Sequence, residues 1–104
     1  MDNKRTNPRR RVHDFGKMIF PGGRDIVACV IVDASDGGAR LVVDIGALKN
    51  GMQVPDSFVL HNKKARSFHE AKVVRRSGRT VAVRLVSALN SSDIGADSLV
   101  AVIR

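Results

Sequence analysis

Two short groups of residues in the first third of the chain have types and spacings suited to holding an anion. Arg5 and Arg9 are separated by three residues in the stretch RTNPR, and Asp33, Ser35 and Gly38 follow in the stretch DASDGG. Arginine carries a planar fork of N–H donors that matches phosphate oxygens, whereas lysine provides only a point charge. Aspartate adds an acceptor, serine a hydroxyl, and glycine a backbone that another group can approach closely. The arginines among them favour an anionic partner.

The overall charge agrees with an anionic partner. The chain has 104 residues and a formal net charge of +8. Four of those eight net charges lie in residues 1–11, where five cations face the single carboxylate of Asp2. A basic balance of this size indicates a polyanionic partner. Because the stretch is polar and lacks apolar periodicity, we expect a flexible basic arm before the folded domain.

The order and spacing of the two motifs resemble the PilZ domain, a bacterial receptor module for cyclic di-GMP. The similarity covers roughly residues 4 to 87, and the segment from Asp33 to Leu41 (DASDGGARL) looks much like single-domain PilZ proteins. It implies a stand-alone cyclic di-GMP receptor that signals through a downstream protein effector. Lys4 departs from the Arg or Glu that often precedes the first motif arginine in this family. In PilZ domains that neighbourhood is associated with whether one or two ligand molecules bind. The stoichiometry of this chain therefore stays open.

The resemblance also implies a set of ligand-binding residues. Arg5 and Arg9 would grip phosphates or the O6 and N7 edge of guanine. The Asp33 carboxylate would accept from guanine N1–H and the exocyclic amine, and Ser35 would bond a phosphate oxygen or a turn amide. Gly38 would let a guanine approach the backbone without a Cβ in the way. The next candidate is Arg10.

Three other interpretations stay open at this point. The chain could be a PilZ-like adaptor that has lost ligand binding and acts only through protein contacts, although the intact motifs argue against this. The segment from Asp33 to Gly38 could be only a hairpin turn, because turns favour Asp, Ser and Gly, and Arg5 and Arg9 could be tail charges. Alternatively, the chain could be a small basic β-barrel that binds RNA or the ribosome. The composition disfavours nucleic acid, because the chain has neither Trp nor Tyr and only 4 Phe for bases to stack on.

Residues for catalysis or metal binding are scattered. His13, His61 and His69 form no pair at metal-ligand spacing, and each is expected on a surface strand or loop. Cys29 has apolar neighbours, which should raise its thiol pKa and leave it inert in the core. No Gly-rich loop leads into a Lys-Ser or Lys-Thr pair. We therefore expect a binding protein without enzymatic activity, metal or cofactor.

The composition also indicates the cellular compartment of the protein. One Cys cannot form an intrachain disulfide, and no stretch approaches the roughly 20 apolar residues of a membrane span. The basic start is not followed by an apolar signal-peptide core. We expect a cytoplasmic protein without membrane contact.

Short β-branched runs separated by turn residues predict the strands and turns that position the candidate ligand-binding residues. Gly-rich turns at 21–23 and 36–38 favour antiparallel hairpins, and Lys63 to Arg66 and Ser77-Gly78 form further turns. Six short strands at this spacing indicate a small closed antiparallel barrel, which leaves no exposed edges. The strands are expected at 17–20, 25–33, 39–44, 57–62, 67–76 and 80–86.

We therefore predict an all-β, six-stranded antiparallel PilZ-like barrel. The domain division is a basic arm over 1–11 and a barrel over 12–104. Residues 45–56 read as a loop, since they carry two Gly and a Pro. Residues 88–104 are expected to form a final strand or an irregular tail, although many PilZ domains end in a helix.

Overall fold

Alternating buried and exposed residues organise the chain into six β-strands. The computed structural model describes residues 10–22, 25–35, 37–44, 46, 48 and 53–90, and these contain no α-helix. Each strand has apolar residues on its inward face, as expected for a sheet with one face packed on a core. The strands are β1 (Arg10–Ile19), β2 (Ile26–Ser35), β3 (Gly38–Val43), β4 (Ser57–Asn62), β5 (Ser67–Ser77) and β6 (Thr80–Leu89).

The six strands close into one antiparallel barrel in the order β1-β2-β3-β6-β5-β4. Hairpins join β1 to β2, β2 to β3, β4 to β5 and β5 to β6, while β3 pairs with β6 and β1 with β4 to complete the ring. Closure satisfies the backbone groups that an open sheet would leave at its edges. The predicted fold is confirmed.

The barrel interior is filled by aliphatic and aromatic side chains from all six strands. Met18, Leu41 and Val27 are its largest fully buried members, and Cys29 lies among them as predicted. A barrel of this strand number has an interior just wide enough for side chains to fill. The core therefore leaves the ends and the outer face of the barrel to bind other molecules.

The first strand is longer than the sequence predicted. It starts at Arg10 instead of Lys17, and the added part pairs with the end of β2. This part shows no apolar alternation, because its inward positions include Gly16 and Asp14. A Cβ on Gly16 would lie 3.0 Å from the backbone oxygen of His61, so the close packing of β1 on β4 favours glycine there. Arg10 and Arg11, assigned to the arm from the sequence, are thus strand residues.

The other strand bounds differ from the prediction by a few residues. The range predicted for β4 is the range observed, whereas β6 continues to Leu89 instead of ending at Val86. Ala88, which we expected in a separate last segment, is therefore part of β6. Residues 91–104 and half of the loop predicted at 45–56 lie outside the described residues. Within the described part of the chain, no helix has the length and apolar character needed to cross a bilayer.

Candidate ligand-binding site

The antiparallel pairing of β1 and β2 brings the basic end of one strand beside the second motif. Arg10 lies opposite Ala34, and Arg11 lies opposite Asp33. Both arginines are exposed. Arg10 therefore lies next to the end of β2. Arg5 and Arg9 lie outside the described residues.

Asp33 is a buried carboxylate at the end of the barrel. It is only 6% exposed, and a register shift in β2 between Ile31 and Asp33 places it opposite Arg40 of β3. Arg40 Nη2 donates to Asp33 Oδ2 at 2.8 Å. Burying a carboxylate is costly unless a charged partner compensates it. Arg40 is that partner, and its own side chain stays 47% exposed.

Ser35 and Gly38 face each other across the turn between β2 and β3. Gly38 has a structural role that the sequence did not indicate. A Cβ at this position would lie 2.9 Å from the carbonyl oxygen of Val83 in β6, a contact that real Cβ atoms essentially never make. Its φ is not positive, so the requirement comes from close packing of β3 on β6 and not from turn geometry.

Three arginines that the sequence analysis did not single out border this end of the barrel. Arg84 lies on β6 opposite Gly38 and is exposed. Arg40 and Arg75 line a polar surface depression with Ser77, Thr80 and Ala82. Arg40 contacts Asp33, whereas cross-strand pairing places Arg84 two strands away from Ser35 and Arg75 three strands away from Asp33. Only the register of the hairpins could have located them. The result is an anion-attracting end of the barrel.

Cys29 and the histidines occupy environments that differ from one another. Burial raises the pKa of the Cys29 thiol to about 12, so the thiol is protonated and unreactive, as predicted.

His61 is only 6% exposed, contrary to the surface position we expected. Its ring stacks on Phe68 at a centroid distance of 4.3 Å, and Nδ1 donates to the backbone oxygen of Ser67 at 3.1 Å. Burial is the main cause that lowers the pKa of His61, with smaller contributions from Lys63 and Lys17.

The described part of the chain holds no group of three or more His, Cys, Asp or Glu residues placed to bind a metal ion. Its notable polar features are the buried, paired carboxylate and the surrounding arginines. A carboxylate beside guanidinium groups can accept from N–H donors of a base while the cations hold phosphates. The geometry thus suits an anionic nucleotide.

The described residues thus form a small closed antiparallel barrel with a buried carboxylate and exposed arginines on several of its strands. The family model that matches this chain is the PilZ domain, over residues 3–101. The match covers nearly the whole chain, and the protein belongs to the PilZ domain family, whose members are receptor domains that bind cyclic di-GMP. A comparison with curated proteins found no matching relative.

Proposed function

We propose that this protein is a cytoplasmic bacterial receptor for cyclic di-GMP that uses Arg5, Arg9 and Arg10 together with Asp33, Ser35 and Gly38. One observation carries the assignment. The register of β1 on β2 puts Arg10 opposite Ala34, between the two polar motif residues. Arg10 and the second motif therefore lie at the same end of the barrel.

Each proposed contact has a chemical reason. Arg5 and Arg9 supply bidentate donors for the two phosphodiesters or for guanine O6 and N7. Asp33 accepts from guanine N1–H and the exocyclic amine, which adenine does not present in that arrangement. The Ser35 hydroxyl bonds a phosphate oxygen. Charged hydrogen bonds contribute on the order of 1.5 to 3 kcal/mol each, enough for roughly micromolar binding after the ordering cost of the arm.

Arg40 positions the Asp33 carboxylate for this contact. Its bond to Oδ2 holds the group in one orientation at the barrel end. The exposed guanidinium of Arg40 also faces the solvent from which the ligand arrives. Arg40 therefore compensates the buried charge before binding and adds positive potential for the phosphates.

The output of such a receptor is a changed surface. The arm orders around the ligand and presents that surface to a downstream protein effector, without catalysis and without a cofactor. The like charges of the arm repel one another until the two phosphates lie among them. No RNA function is proposed.

Calorimetric titration with cyclic di-GMP, with GTP and an RNA oligomer as controls, tests the proposal. Wild-type protein should bind cyclic di-GMP, whereas Arg9→Ala and Asp33→Ala should lose most of the affinity. Arg40 can hydrate when Asp33 is removed because it is half exposed, so the Asp33 variant should stay folded.

Matched controls are available at surface positions away from the β1 and β2 ends. Arg79→Ala removes an exposed arginine in the turn between β5 and β6, and Asp56→Ala removes an exposed carboxylate paired with Arg76. Both should bind like wild type. Folded Arg9 and Asp33 variants with wild-type affinity would refute the site, and a preference for RNA over cyclic di-GMP would refute the function.

A further inference from the structure

The outer face of β1 carries the most exposed large apolar side chain in the described residues. Phe15 is 63% exposed, whereas Phe20, Phe58 and Phe68 are buried. A single exposed ring would need no explanation. Phe15, however, continues into further apolar residues on neighbouring strands.

Cross-strand pairs define that apolar strip. Phe15 lies opposite Val30 of β2, and Val30 lies opposite Val42 of β3. Paired residues of adjacent strands share a face of the sheet. Since Val30 and Val42 alternate with the buried Cys29, Ile31 and other core residues, this face points out of the barrel. The strip therefore crosses three strands and is not part of the core.

Cations border the strip at its Phe15 end. The turn Lys63 to Arg66 follows β4, and the Lys63 amide donates to the Phe15 backbone oxygen at 3.1 Å. A surface depression here is lined by His13, Asp14, Phe15, Lys63 and Lys64. The His13 ring meets Phe15 edge to face at 5.7 Å.

Asp14 is the one carboxylate in that lining, and it accepts from Asn62 Nδ2 at 3.3 Å. The depression thus combines an exposed ring with two exposed lysines, and its carboxylate is already hydrogen-bonded.

We propose that the Phe15 surface, formed by His13, Phe15, Val30, Val42, Lys63 and Lys64, docks an acidic segment of a partner protein. An apolar side chain of that segment packs on Phe15 and the valines, and its carboxylates face the two lysines. Such complementarity steers encounter and selects partners, while the buried ring supplies affinity. The inference concerns a surface away from Asp33 and does not depend on cyclic di-GMP binding.

The same observations disfavour two other binding partners for the Phe15 surface, a second copy of the chain and single-stranded nucleic acid. A second copy of the chain also carries a net charge of +8, so its approach to the lysines is opposed by repulsion. Single-stranded nucleic acid binds best where successive aromatic side chains stack on its bases. Beyond Phe15 the strip is aliphatic, which suits side chains of a protein better than bases.

A fluorescence anisotropy titration without cyclic di-GMP tests the surface. The probe is a labelled peptide of Asp and Glu residues with a central Leu-Phe pair, and the reference peptide has Asn and Gln in place of the acids. We expect the acidic peptide alone to bind, and Phe15→Ser and the double variant Lys63→Glu/Lys64→Glu each to weaken it about tenfold or more, which is 1.4 kcal/mol.

Two control variants match these changes elsewhere. Val74→Ser replaces a valine of β5 that is 62% exposed, and Lys72→Glu reverses an exposed charge of the same strand. Both should leave peptide affinity within about twofold. Circular dichroism checks that every variant is folded, as expected at exposed positions.

Several results would overturn the proposal. These are no binding of the acidic peptide, equal binding of the neutral peptide, or equal losses in the control variants. Tighter binding of a single-stranded RNA oligomer that is lost in the Phe15 and lysine variants would assign the surface to nucleic acid instead. Self-association that Phe15→Ser abolishes, seen by sedimentation, would assign it to a second copy.

Discussion

The ion pair between the buried Asp33 and the half-exposed Arg40 gives the motif carboxylate a definite orientation before any ligand arrives. Removing Arg40 leaves a carboxylate that is 6% exposed without this partner. We expect Arg40→Ala to lower the free energy of unfolding by about 1 to 3 kcal/mol. It should also weaken cyclic di-GMP several-fold, because Asp33 loses its fixed position.

Arg40→Lys distinguishes positioning from stability alone. Lysine keeps the charge but lacks the fork, so it should recover most of the unfolding free energy and less of the affinity. Urea denaturation and calorimetry on the same samples measure both. If ligand affinity followed stability in parallel across the two variants, Arg40 would have no separate role in the site.

Gly38 is constrained by the fold whether or not a guanine lies against it. The Cβ of Gly38→Ala would meet the Val83 carbonyl oxygen at 2.9 Å, and the obstacle is backbone. We expect a loss of about 1 to 3 kcal/mol, as for other overpacked positions. Thermal melts with and without cyclic di-GMP check this, and an unchanged melting temperature without ligand would show that β3 can move away from β6.

His61 should make stability depend on pH. Its pKa is lowered from 6.5 in the folded protein, mainly by burial, so the unfolded chain takes up the proton first as pH falls. The contribution of the neutral ring is therefore complete above about pH 6.5 and is lost progressively below it. Melting temperature should fall between pH 7.5 and 5.5.

The variant that tests this prediction is His61→Gln. The part of the pH dependence that comes from His61 should vanish in this variant, and the variant should be less stable than wild type at pH 7.5. His69→Gln keeps His61 in place and serves as the control. A His61→Gln profile as steep as that of wild type would contradict the assignment.

At the level of elements, sequence patterns located strands well where one face is apolar. The range of β4 was predicted because the loop that ends at Asp56 and the basic turn that starts at Lys63 bound it, and its apolar Phe58 and Leu60 are buried in the structure. The start of β1 was missed because its inward side carries Asp14 and Gly16, whose places are set by pairing with β2 and β4.

The candidate site was predictable from the sequence only where its residues are close together in the chain. Asp33, Ser35 and Gly38 were visible as a motif, and the register of β1 on β2 places Arg10 opposite Ala34 within that motif. Arg40, Arg75 and Arg84 were missed because their proximity depends on register across hairpins. The packing role of Gly38 likewise depends on a strand that follows much later in the chain.

At the scale of the whole molecule, the closed barrel separates two surfaces. The proposed ligand end lies where β1 begins and β2 ends, whereas the Phe15 surface lies further along β1 beside the lysine turn. Because both lie on β1, ordering at its start is placed to affect its outer face. This arrangement suits a receptor that acts by changing contacts with another protein.

Arm ordering is testable by amide hydrogen exchange. If residues 5–9 order around the ligand, their amides should exchange more slowly with saturating cyclic di-GMP. Amides of the turn at Gly78 and Arg79 provide the internal control and should not change. Equal exchange of residues 5–9 in both states would rule out arm ordering as the output.

The central claim is that the start of β1 and the end of β2 form one cyclic di-GMP site, and chemical-shift mapping tests it most directly. In a titration of ¹⁵N-labelled protein, the largest shifts should fall on the amides of Arg10, Arg11, Asp33, Ser35 and Gly38, with little change at Gly78 and Arg79. Saturable binding whose largest shifts lie elsewhere on the barrel, or no shift at saturating ligand, would contradict the account.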